Sequence, residues 1–132
     1  MPLWHLYRDC SAVAVPEAEQ RAAAEALALA RRELRLPWIT VRWFASTSIE
    51  TERSWPRRGP AKLRGIAYHG SREVLIRAHQ GPEAVAFAVL HECAHVHQNM
   101  HHGPCRGPVD RWTRERDADV FAARYYPEGI AE

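Results

Sequence analysis

A chain of 132 residues is the size of one compact domain, so a single core and a single site are expected over residues 1–132. Hydrophobic residues at 46% and charged residues at 26% are ordinary for a soluble globular protein; they exclude a disordered tail, and no apolar stretch is long enough to span a bilayer. The formal charge of +2 is far from the dense positive field of a protein whose main task is holding nucleic acid.

In chain order, Met1 to Ser11 contains Trp4, His5, Arg8 and Asp9 and so lacks the apolar core and cleavage site of a signal peptide. The three cysteines, Cys10, Cys93 and Cys105, form no CxxC pair, which fits a reducing compartment and argues against a disulfide framework or a zinc knuckle. The expected location is cytoplasmic. Pro16 to Leu36 reads as a long helix, with proline in its first turn, Glu17 and Glu19 near its positive end, and an apolar stripe of Ala23, Leu27, Ala30 and Leu34. Pro37 stops it, and the alternation of Trp38 to Phe44 predicts a strand.

Ala45 to Arg64 is polar, holds Pro56, Gly59 and Pro60, and shows no apolar period; it reads as a loop. Its basic residues, Arg53, Arg57, Arg58, Lys62 and Arg64, are a solvated loop or a basic rim for an acidic partner. Gly65 to Tyr68 and Glu73 to Ala78 read as a hairpin, which completes a sheet of about three strands. The strand Glu73 to Ala78 leads straight into the next helix, so its edge is expected to be exposed and able to hold an extended peptide. Gly81-Pro82-Glu83 starts that helix, Ala84 to Met100, and Gly103 and Pro104 end it. Asp110 is a candidate N-cap for a last helix from about Arg111 to Tyr125.

His91-Glu92-Cys93-Ala94-His95 is an HExxH sequence inside the predicted third-quarter helix. Residues four apart lie one above the other on a helix, so both imidazoles can reach one cation, and Glu92, one step round, can hold a water without taking a coordination position. Chance alone gives this spacing in roughly 4 per cent of chains of this composition, so context decides. The preceding Ala84, Ala88 and Val89 make the turns apolar enough to bury, and buried imidazoles with a carboxylate favour a bound ion.

A catalytic zinc needs three protein ligands and an open position. Glu115 is one candidate third ligand; Glu115, Ala118, Asp119 and Ala122 share a face of the last helix, and Asp119 could accept a ring hydrogen from a ligating histidine. His101 is the alternative third ligand, six residues beyond His95, although Gln98 stands where such sites turn on glycine and no methionine follows Met100. Asp117 points away from Glu115 around the helix. Cys93, His97 and His102 read as core or surface residues, and Tyr125 or Tyr126 as core packing or as an oxyanion donor.

The HECAH sequence followed by ERDADVFA, Glu115 to Ala122, resembles the ImmA/IrrE family of small bacterial metallopeptidases, which pair HExxH with an E-x-E-A-[ND]-x-F-A helix. The resemblance covers the chain from Glu73 onward well and the helix and sheet before it loosely. It implies a reduced gluzincin fold, Zn2+ as cofactor, Glu115 as third ligand with Asp119 at the following Asn/Asp position, and protein substrates such as transcriptional repressors. Asp117 stands where Glu is usual, and the His-rich Val96 to His102 segment is a further departure.

The expected fold is therefore α+β: an N-terminal helix, a small, mostly antiparallel sheet, the HExxH metal helix and a C-terminal ligand helix, in a minimal zincin-like arrangement. The expected function is zinc-dependent metalloendopeptidase, with Glu92 as general base on a protein or peptide substrate and no membrane partner. The alternatives are a non-catalytic, metal-stabilised interaction module and a nucleic-acid-associated factor using Arg53 to Arg64.

Overall fold

The computed structural model describes residues 13–45, 49–68, 70, 72–127 and 129. The N-terminal segment through Ser11, with Cys10, lies outside them, as do His69 and Ser71 of the connecting turn. Helix α1 is Glu17–Leu34, with Pro16 at its N-cap and Arg35 in the left-handed conformation at its C-cap. Ala23, Ala26 and Ala30 are its fully buried face, and Leu27 and Leu34 pack partly exposed beside them. Three alanines on one face let a neighbouring helix come close. That neighbour is α2, Pro82–His102, which begins with Pro82 in its first turn after Gly81 and ends at Gly103, whose φ of 73° is a glycine conformation.

Strands β1 (Thr40–Phe44), β4 (Gly65–Tyr68) and β5 (Glu73–Arg77) form one sheet in the order β1-β5-β4. β4 and β5 pair antiparallel as the sequence predicts, but β1 runs parallel to β5, so the sheet is mixed where a mostly antiparallel one was expected. β5 is also central and not an edge: Val74, Leu75 and Ile76 are fully buried on alternating faces, which is why they read as one unbroken apolar run. Val74 and Ile76 pack against the helices, while Leu75 joins Phe44 and Leu63 in a second cluster on the opposite face.

Residues 45–64 are not a plain loop. They contain an antiparallel pair, β2 (Glu50–Arg53) and β3 (Gly59–Lys62), in the register Glu50 to Lys62 and Arg53 to Gly59. Both strands are mostly exposed and built from Glu, Arg, Gly, Pro and Lys, so no apolar alternation marks them. Helix α3 spans Pro108–Ala123, starting a turn earlier than predicted because Pro108 takes the first helical position after Gly107. Asp110 therefore lies inside the first turn. Its carboxylate accepts bonds from the Arg106 backbone N–H (2.8 Å) and Arg114 Nε (3.1 Å).

The described residues thus form an α+β fold with three helices and two small sheets. Among them, no helix is long and apolar enough to cross a membrane. The start of α2 is fixed by a distant group: Glu19 of α1, only 4% exposed, accepts the backbone N–H of His79 (2.7 Å) and of Gly81 (3.1 Å). A buried carboxylate with two donors satisfies the turn from which α2 departs.

Candidate metal centre

α2 is buried on most of its circumference, so the two histidines four apart on it face protein and not open solvent. The His91 and His95 rings meet edge to face, with centroids 4.6 Å apart and their Nε2 atoms 3.0 Å apart. Glu115, on α3, reaches both: Oε1 lies 2.8 Å from His95 Nε2 and Oε2 3.5 Å from His91 Nε2. Ligand atoms about 2.1 Å from a tetrahedral ion stand about 3.4 Å apart, so the three separations suit one small cation. Among the described residues, these three form the group of side chains whose donor atoms lie within 4.8 Å of one another.

The far side of each imidazole decides what its near side can do. Gln98 donates from Nε2 to the carbonyl oxygen of Arg114 (2.9 Å), which turns its Oε1 toward His95 Nδ1 at 2.9 Å. A carbonyl oxygen only accepts, so His95 Nδ1 carries the hydrogen and a neutral ring leaves Nε2 with its lone pair toward Glu115. His91 Nδ1, buried, meets Asp119 Oδ1 at 2.6 Å, a charged contact that lies off the line of an ideal hydrogen bond. Asp119 is 3% exposed and also stands 4.0 Å from Arg53. The two Nε2 atoms and the Glu115 carboxylate converge on one point, a donor set suited to a positive charge.

The electrostatics agree. For His91, burial opposes the charged ring, but Asp119, Glu115 and the charge of Glu92 outweigh it and raise the pKa to about 10. For Glu115, burial works upward, while His91 and His95 pull the carboxyl well below its usual range. Glu92 is 8% exposed, and burial raises its pKa against the lowering effect of His91 and His95.

Residues outside the cluster sort clearly. His101 is not brought to it: α2 stays helical through His102, which puts His101 roughly 240° round from His95, where its ring lies 4.3 Å from that of His97. Helix continuation through Gln98, in place of a glycine turn, is the reason. Asp117 is exposed and pairs with Arg116. Burial pushes the Cys93 thiol up to about 12, as befits a core residue. Tyr125 packs edge to face on Phe121 and Tyr126 against the main core, and neither lines the cleft at the centre.

Two contributors are absent from the sequence reading as site residues. Gln98 stands one helical turn after His95, a spacing that could have identified it as a partner of that ring. Gly65, in β4, lies against the general-base candidate: a Cβ there would meet Glu92 Cγ at 3.0 Å, the Leu75 carbonyl oxygen at 3.1 Å and Glu92 Oε2 at 3.3 Å. A lone glycine in a short strand carries no signal for that role. Above the centre is a cleft of about 900 Å³ lined by α2, α3, β4 and the β2–β3 hairpin. No protein-family model matches the chain, and comparison with curated proteins and with solved structures returned no match.

Proposed function

We propose that the chain is a zinc-dependent peptidase of the minimal gluzincin type, related in design to the ImmA/IrrE metallopeptidases, acting on a protein or peptide substrate. The observation that carries this reading is the convergence of His91, His95 and Glu115 at an open cleft with the buried Glu92 carboxyl alongside. Three protein donors facing a cleft suit a catalytic site better than the closed four-ligand set of a structural one, which weighs against the interaction-module alternative.

His91 and His95 would hold the ion through Nε2 and Glu115 through its carboxylate. Bound zinc would supply Lewis-acid polarisation of the scissile carbonyl and a water of lowered pKa. Asp119 and Gln98 keep the two rings aimed by engaging their Nδ1 atoms. Glu92 takes a proton from the attacking water and returns it to the departing amine nitrogen as the carbon–nitrogen bond breaks. A carboxylate whose proton affinity is raised by burial is a better acceptor of the water's proton than a freely solvated one. β4, the strand at the end of the sheet order nearest Glu92, supplies the peptide-binding edge that the sequence assigned to β5.

The test joins metal analysis to turnover of a casein-derived peptide mixture. Wild type should purify with about one zinc per chain. Glu115→Ala should lose the metal, while Glu92→Gln should keep it and lose turnover by a factor on the order of 10²–10⁴. A zinc-free wild type, or a Glu92→Gln variant as active as wild type, would end the proposal.

A further inference from the structure

The cleft is charged as well as open. Its acidic groups at the floor are committed: Glu115 and Asp119 to the histidines, and Glu92 buried between them and Gly65. Away from the floor the balance reverses. Arg57 and Arg58, in the turn between β2 and β3, and Lys62, at the end of β3, are exposed, and none has an ion pair or side-chain hydrogen bond among the described residues. Lys62 has Glu50 as its cross-strand neighbour. Arg111 donates to the backbone carbonyl of Glu52 (2.6 Å), a neutral partner that leaves its charge uncompensated. Against these four cations the outer cleft sets the carboxylate of Glu52.

Like charges lining one cleft give it a positive potential, which favours a ligand of opposite sign. Among the described residues, the lining of the cleft offers single-stranded nucleic acid no free stacking platform. Phe87 is the aromatic among its lining residues, and that ring is already covered by the Arg64 guanidinium, 5.4 Å from its centroid, and stacked with His91. A strand edge beside Glu92 suits an extended polypeptide instead. We propose that the cleft takes an extended peptide segment rich in Asp and Glu, whose carboxylates meet Arg57, Arg58, Lys62 and Arg111 while its backbone lies along β4. The proposal names the substrate class for the hydrolytic reading above, and rests on that reading only for turnover.

Binding is best read without cleavage, in zinc-loaded Glu92→Gln protein titrated into a short fluorescein-labelled peptide with Glu at alternate positions, and into its Gln counterpart, by fluorescence anisotropy. The acidic peptide should bind at least about tenfold more tightly at low salt, and raising the salt should shrink the difference. Adding Arg57→Glu and Arg58→Glu, both at exposed positions, should remove the preference while leaving zinc content and circular dichroism unchanged. Equal affinity for the two peptides, a preference that survives the charge reversal, or oligo-dT binding more tightly than the acidic peptide would overturn it. Selective binding by Glu92→Gln with no cleavage of the acidic peptide by wild type would uphold the acidic-peptide cleft and remove the hydrolytic reading.

Discussion

Glu92 has little room to move. Its side chain is buried against β4 at Gly65, within the field of the two histidines of its own helix, and a methyl group at position 65 would touch both Cγ and Oε2. The neighbouring contact at Leu75 is a backbone oxygen and cannot give way, so the strain of Gly65→Ala falls on the Glu92 side chain. The expected result is a variant with wild-type zinc content and near-wild-type KM but a kcat lower by about tenfold or more, because a displaced base loses its alignment with the water. Steady-state kinetics beside metal analysis would check this; a loss of zinc in step with activity would show that residue 65 supports the whole centre instead. Much of the residue-scale chemistry was legible in the sequence. His91 and His95 announce themselves by their spacing, whereas Glu115 shared the candidacy for their partner with His101 until the fold brought its carboxylate to both rings. Gln98 and Gly65 do not, since their parts depend on what another element places beside them.

Among the elements, α2 owes its position to a carboxylate sixty residues earlier in the chain. Glu19 holds the N–H groups of His79 and Gly81, the turn that sets where α2 begins and hence how far along it His91 and His95 fall. Glu19→Ala removes a charged acceptor and leaves two part-buried donors unmet, which should cost about 3 kcal/mol of stability. Urea denaturation would measure it, and a loss under about 0.5 kcal/mol, the usual range for surface changes, would contradict the structural role. Helices α1, α2 and α3 were readable because proline, glycine and a 3.6-residue apolar period mark them. Strand order was not. Val74 to Ile76 looks the same whether a strand is central or at the edge until its neighbours are known, and β1 joins it in parallel through the long excursion that holds β2 and β3. That hairpin was invisible because its side chains serve a cleft and water, not a core.

At the scale of the whole molecule, the proposed metal would compete with protons for the same ring nitrogens. A His91 pKa raised from 6.5 to about 10 means that, without metal, folding is helped by a proton fully bound below pH 6.5 and lost as pH rises toward 10. The chelated protein should therefore melt at progressively lower temperature between pH 6.5 and pH 10, while the zinc-loaded protein, whose rings are held by the ion, should lose much less over the same window. Calorimetric zinc titrations near pH 7.5 in buffers of different ionisation enthalpy should also register proton release. Parallel melting trends for the two forms, or zinc binding with no proton release, would show that His91 is not the group in competition.

The amide of Gln98 holds a ligand ring with one end and the backbone of the facing helix with the other. Sliding α3 along α2 by a fraction of a turn would swing that amide and rotate the imidazole it steadies, before any apolar contact were broken. Retention of the proposed ion would thus gauge helix alignment, and a loosened intermediate that kept its secondary structure would already have let the cation go.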